Sequence, residues 1–195
     1  ANPHLDVRDP VQKWGQPEEE RIKGSISANY RLTDSHELYG FGLFNDAQGQ
    51  TDFNWRNPDA TSNVYKPTNA FPGFSFRDVF PAGFTPQLKS DIQDYQFAGG
   101  LRGDLARNLT YDVAASWGRS RVAFDLDDTV NASMGPDSPT DFFLGREYQD
   151  DFVLSADLVY QLDLGLTEPV NIAFGAETRL LTYGVEQGDE ASWKI

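Results

Sequence analysis

Six segments of this chain alternate apolar and polar residues with a period of two, and almost nothing in it carries the 3.6-residue period of a helix. An extended backbone turns such alternation into two unlike faces, because successive side chains point to opposite sides of a strand. From 22 to 32, Ile22, Ile26, Ala28, Tyr30 and Leu32 oppose Lys23, Ser25, Ser27, Asn29 and Arg31. Between 94 and 105, Tyr95, Phe97, Leu101 and Leu105 oppose Asp94, Gln96, Arg102 and Asp104. Leu109, Tyr111, Val113, Ala115 and Trp117 then oppose Thr110, Asp112 and Ser116. Two later segments repeat the pattern, with Phe152, Leu154, Ala156, Leu158 and Tyr160 in one and Val170, Ile172, Phe174, Ala176 and Leu180 in the other. Only 37–45 is ambiguous, since neither Tyr39, Phe41 and Leu43 nor Leu38, Gly42 and Phe44 bring a charge after Glu37. Its aromatic side, Tyr39 and Phe41, is taken as the apolar one.

The connections alternate as strictly as the strands. Thr33 to His36, Ala106 to Asn108 and Asp163 to Glu168, with Pro169 at the strand entry, are hairpin-length turns, whereas 45–91 and 125–149 are long and rich in Asp, Asn, Pro, Gly and Ser. The expected fold class is therefore all-β, an antiparallel up-and-down meander with strands near 21–32, 37–45, 92–105, 109–123, 150–162 and 169–183. Loops beyond roughly 12–15 residues are uncommon in compact domains. A transmembrane β-barrel accommodates them, with short turns on one side and long loops on the other, and its tilted strands need about 9–11 residues to cross.

The aromatic residues fit the same picture. Tyr30, Tyr39, Tyr111 and Tyr160 are expected to point outward near the short turns, and Tyr95, Trp117 and Phe152 near the long loops, as two interfacial girdles. On that reading Tyr30, Phe41, Phe97, Leu101, Val113, Trp117, Leu158 and Phe174 share one uncovered face. The opposite face would line a lumen with mixed charge: Arg21, Lys23, Arg31, Asp94, Arg102, Asp112, Asp157, Glu177 and Arg179. Pairing across the turn at Ala106 to Asn108, with Leu105 opposite Leu109, sets Arg102 against Asp112 and Phe97 against Trp117. A soluble β-rich ligand-binding module, a sandwich or a lipocalin-like barrel, explains the alternation equally well. It does not explain the loop asymmetry or the Gly and Ala in the apolar stripes, which would fill a core badly. A passive porin-like channel is a further alternative.

Composition narrows the function. With 16 Lys and Arg against 30 Asp and Glu, the net charge of −14 argues against a nucleic-acid partner. The absence of cysteine removes disulfide, iron–sulfur and thiol chemistry, and His4 and His36 alone are too few for a histidine-based zinc site. No run approaches the roughly 18 apolar residues of a membrane helix, and nothing resembles a signal peptide. No Ser, His and Asp spacing suggests a nucleophile beside a base, so no catalytic residue is assigned and no enzyme is expected.

Several blocks, in this order, resemble the barrel domain of TonB-dependent outer-membrane receptors. They are Glu37-Leu-Tyr-Gly-Phe-Gly-Leu-Phe44, Gly83-Phe-Thr-Pro-Gln-Leu-Lys-Ser-Asp-Ile92 leading into Ala98-Gly-Gly-Leu-Arg-Gly-Asp104, Tyr111-Asp-Val-Ala-Ala-Ser-Trp-Gly118 and Asn171-Ile-Ala-Phe-Gly-Ala-Glu177. The resemblance spans about 21–190. It implies a piece of a larger barrel in the outer membrane of a Gram-negative bacterium, about six strands running between two outer loops, 1–20 and 184–195, without the plug domain. The implied activity is uptake of a scarce nutrient of the siderophore, cobalamin or oligosaccharide class. Outer-membrane lipid, the rest of the barrel and its plug, and the TonB complex (through segments absent here) are the implied partners, with no cofactor.

The loop 45–91 carries the candidate ligand contacts Phe53, Trp55, Tyr65, Phe71, Phe74, Phe76, Phe80 and Phe84, interleaved with Pro67, Pro72, Pro81 and Pro86. Rigid aromatic rings offer stacking area at little entropic cost, but so many in one loop can also bury one another over the barrel mouth. The acidic runs Glu18 to Glu20 and Asp125, Asp127, Asp128, Asp137 and Asp141 lack EF-hand spacing and read as solvated loop charge rather than a metal site.

Overall fold

The computed structural model describes residues 8–15, 17–59 and 62–195, and His4 lies outside them. Six strands form one antiparallel sheet: β1 (Glu18–Arg31), β2 (His36–Asp52), β3 (Gln87–Ala106), β4 (Leu109–Asp127), β5 (Phe142–Leu162) and β6 (Val170–Gln187). Each lies beside its sequence neighbour, so the fold is an all-β up-and-down meander with β1 and β6 at the edges. The three short turns fix the hairpins β1–β2, β3–β4 and β5–β6, because two-to-seven-residue connections join adjacent antiparallel strands, and the β2–β3 and β4–β5 ladders join the hairpins across the long loops. The last of these turns is shaped by Gly165, at φ 72°, whose N–H donates to the Asp163 carboxylate at 2.8 Å.

The register sets Arg102 opposite Asp112 and Phe97 opposite Trp117, as expected from the turn. The turn itself differs by one residue. Ala106, not Leu105, pairs with Leu109, and a bulge at Leu105 absorbs the difference, so Arg107 and Asn108 form the tight connection. Such a bulge inserts a residue without turning the rest of either strand over.

Strand β2 corrects the expected facing of two aromatics. Tyr30 pairs with Leu38 and Leu38 with Leu101, whereas Ser27 pairs with Phe41 and Phe41 with Ala98. Directly paired residues share a face, so Leu38, Gly40, Gly42 and Phe44 join the apolar face while Tyr39, Phe41 and Leu43 lie on the polar one. From Leu38 to Asn45 β2 carries no charge, so its sequence has no contrast there to show this. Only its partners do.

The strands also run further than their alternation. β2 continues to Asp52, β3 begins at Gln87, β4 reaches Asp127 and β5 begins at Phe142, shortening the long loops to 53–86 and 128–141. The β2 and β3 extensions pair in register although 46–52 and 87–91 have little polarity contrast between their faces, and a period-two pattern needs that contrast to be visible; the β4 and β5 extensions pair across a bulge between Phe124 and Asp125. Glu18 to Glu20 and 184–187, expected in outer loops, are likewise paired strand.

Side-chain burial is concentrated at the long-loop end of the molecule. Tyr65, Phe76 and Phe84 form the only core cluster among the described residues, packed by Val64, Phe74 and Phe80 from the same loop and by Val130 and Ala132 from the second. The sheet itself buries almost nothing below that level.

Candidate functional site

Read along the hydrogen-bonding direction, the apolar face is continuous across all six strands. One row runs Ile26, Gly42, Phe97, Trp117, Phe152, Leu180, and two rows toward the short turns lie Tyr30, Leu38, Leu101, Val113, Ala156, Ala176. Ile26 is 73% exposed, Tyr30 68%, Phe97 53% and Phe174 65%, and no second sheet covers them among the described residues. Along β6 the stripe extends from Val170 to Leu180. At about 3.3 Å per residue and a tilt of about 40°, that length projects to about 25 Å, the height of the apolar band of a transmembrane barrel.

Toward the long loops this face changes character within one row. Phe97 and Trp117 stack with ring centroids 6.2 Å apart, and Phe44 lies 5.6 Å from Tyr95. Immediately beyond Trp117 and Phe152, Arg119 and Asp150 form a two-pronged ion pair at 2.6 and 2.7 Å. The Arg119 guanidinium lies between the rings of Trp117 and Tyr148, 6.0 and 5.8 Å from their centroids. Beyond it come Asp46, which accepts from Gln93 at 3.0 Å, and the Arg146–Glu186 pair at 2.6 Å. A charged collar thus borders the apolar band on its long-loop side.

The nine charged residues expected along the lumen all share the opposite face by register. Their partners are not those the sequence suggests. Arg102 faces Asp112 in the ladder but bonds Glu37 at 2.7 Å, while Tyr39 donates to Asp112 at 2.6 Å. To reach Asp112 the Tyr39 ring crosses β3 over Gly100, where an added Cβ would lie 2.5 Å from it, and Arg102 stacks on the same ring at 5.0 Å. Asp94 accepts from Asn45 at 2.8 Å and from Ser120 at 2.7 Å, and Arg179 pairs with Asp151 through both carboxylate oxygens. Arg21 pairs with Glu19 on β1. Near the short turns, Arg31, Glu37, Arg102, Asp104, Asp112 and Asp157 border an open cleft of about 450 Å³.

Of the eight loop aromatics, Tyr65, Phe76 and Phe84 are buried in the loop core, Phe74 and Phe80 pack against it, and Phe71 meets Gly135 of the second loop. Phe53 is exposed and Trp55 half-buried. Most of the set is thus engaged in self-packing. Tyr65 donates to the carbonyl oxygens of Arg56 (3.4 Å) and Phe80 (3.2 Å), and burial pushes its phenol up to about 12 against the opposing pull of Arg77. A strap at 8–15 ties the loop to the strands: Arg8 pairs with Asp52 at 3.0 Å, the Lys13 N–H donates to Asp52 at 2.8 Å, and Gln12 accepts from the Trp55 N–H at 2.8 Å.

The acidic run at the end of β4 is only partly balanced. Lys89 bonds Asp127, which raises the lysine above its ordinary range, while burial and the neighbouring Asp91 and Asp127 raise Asp125. Among the described residues no three His, Asp or Glu side chains converge to hold a metal ion. Tyr39, Arg119, Asp150 and Asp151 are the functional-face residues that sequence reasoning missed. Placing Trp117 opposite Phe152, two residues of one girdle, would have exposed the Arg119–Asp150 pair one step further along the same ladder.

The geometry defines an all-β antiparallel meander with one uncovered apolar face, one charged face and a self-packed loop layer at one end. No protein-family model matches the sequence, and no curated protein matches it.

Proposed function

We propose that this chain forms part of the wall of a larger outer-membrane β-barrel, a receptor in TonB-dependent uptake of a scarce nutrient. Lipid covers the apolar face, the charged face lines the lumen, and the loop layer stands outside the cell. The observation that carries the membrane reading is the continuous apolar face: large residues such as Ile26 and Phe174 stay exposed over a band of about 25 Å, bordered by aromatic rings and then by ion pairs. A soluble protein with so large an exposed apolar surface would aggregate. The receptor step, and with it the siderophore, cobalamin or oligosaccharide class of nutrient and the contact with the TonB complex through other segments, rests on the order of the resembling sequence blocks and on a built loop layer.

The chain lacks cysteine, so single-cysteine variants along β5 from 152 to 158 can each carry one spin label. In phospholipid vesicles, labels at 152, 154, 156 and 158 should be relaxed by oxygen and those at 153, 155 and 157 by a water-soluble nickel chelate. Equal access of the nickel chelate to all seven would sink the membrane reading. For transport, uptake of ferric chelates, cobalamin and oligosaccharides by cells expressing the whole protein should collapse when a protonophore discharges the inner membrane. Uptake unchanged by the protonophore would favour a passive channel.

A further inference from the structure

One small cleft of the loop layer is not consumed by self-packing. It has a volume of about 180 Å³ and lies where the strap, the first loop and the end of β4 meet, bordered by Trp55, Phe80, Phe84, Arg8 and Asp128. Its aromatic side is rigid. Phe80 and Phe84 lie 4.7 Å apart, and Phe84 is fixed in the core against Tyr65 at 5.9 Å. The Trp55 indole lies directly against the backbone of Gly83, whose φ of 92° and lack of a side chain make room for it: an added Cβ would fall 2.6 Å from the indole nitrogen.

The charges at the cleft do not cancel. Arg8 is already paired with Asp52, whereas Asp128 is exposed and has no hydrogen-bond or ion-pair partner among the described residues. Asp128 is also the only non-glycine residue with positive φ, 51°, among the described residues. Backbone strain of this kind persists where surrounding structure imposes it. Three aromatic rings and one unpaired carboxylate make a setting for a cation, because ring faces attract positive charge and the carboxylate completes its neutralisation. The volume is below the roughly 300 Å³ at which sites for whole drug-sized ligands begin, so it suits one group of a ligand.

We propose that this cleft binds the alkylammonium group of a small organic cation, with Trp55, Phe80 and Phe84 around the methyl or methylene carbons and Asp128 as counter-ion. The site depends on the strap, the first loop and the end of β4, and not on what covers the sheet. Its failure therefore leaves the barrel reading intact, and the reverse also holds.

The test is a titration of the full chain in detergent micelles with choline, followed by fluorescence. Trp14, Trp117 and Trp193 also emit, so the signal is assigned with a Trp55→Phe variant. Choline should give a saturable change that Trp55→Phe abolishes, and Asp128→Asn should weaken binding at least tenfold while far-UV circular dichroism stays unchanged. Asparagine tolerates the same left-handed backbone, so this substitution removes the charge without adding strain. The uncharged isostere 3,3-dimethylbutanol should bind at least tenfold more weakly than choline. Equal binding of the isostere would make the cleft merely apolar, a response to methyl glucoside in place of choline would make it a sugar site, and no saturable response to choline would leave it empty. Each of these three results overturns the proposal.

Discussion

Adjacent residues on β5 offer the sharpest test of the two faces. Ala156 and Ser155 are both small, yet the register sends Ala156 to the apolar face between Val113 and Ala176 and Ser155 to the charged face between Ala114 and Glu177. Arginine is placed at each in turn. Ala156 lies four residues from Phe152 on the girdle, which is about 13 Å along the strand. With a tilt of about 40°, this depth is about 10 Å, within about 3 Å of the middle of a 25 Å band, where arginine on the lipid face costs about 2–4 kcal/mol. At Ser155 the guanidinium would face Glu177 and gain about 0.2–1 kcal/mol. The two substitutions should therefore differ by about 2–5 kcal/mol in equilibrium urea unfolding from phospholipid vesicles, followed by tryptophan fluorescence. Equal destabilisation, or a larger loss from Ser155→Arg, would refute both the assigned facing and the bilayer as its cause.

Gly100→Ala should cost about 1–2 kcal/mol, because the new methyl displaces the Tyr39 ring and with it the bond to Asp112, whereas Gly99→Ala, with its nearest neighbour at 3.6 Å, should be near neutral. Denaturant titration compares them, and equal effects would remove the ring from Gly100. The Tyr65 phenol, raised by burial to about 12, keeps its proton in the folded loop while an unfolded tyrosine loses it near 10. Loop stability should thus be full below pH 10 and fall as pH rises through 10 to 12, and absorbance titration should lose its latest tyrosine in Tyr65→Phe. Asp125, raised by burial and by Asp91 and Asp127, acts with the same sign at lower pH: its ionised form is disfavoured in the folded protein, so stability falls as pH rises from the ordinary carboxylate range through its raised value. Asp125→Asn should stabilise the protein at neutral pH and have no such effect in acid, as read by unfolding at both pH values.

By itself the sequence determined the strand number, the three antiparallel hairpins and the two-faced character of five strands, since alternation is a local property and turns as short as Arg107 and Asn108 leave one way to connect the strands of a hairpin; the order of the hairpins is set by the β2–β3 and β4–β5 ladders. The ladder pairing of Arg102 with Asp112 was legible too, because the alternating faces of β3 and β4 must match; the turn is one residue tighter than expected, and a bulge at Leu105 restores that register. Tertiary structure decided what depends on partners distant in sequence. The facing of Tyr39 and Phe41 came from β1 and β3, because β2 carries no charge from Leu38 to Asn45. Strand extensions such as Ala47 to Asp52 are polar on both sides and appear only through their ladder. The choice of Arg102 for Glu37, and of Asp112 for Tyr39, followed from a ring crossing Gly100, which spacing cannot encode. The loop aromatics were visible as a group, but burying Tyr65, Phe76 and Phe84 while leaving Trp55 beside an open cleft required both loops and the strap to meet in three dimensions.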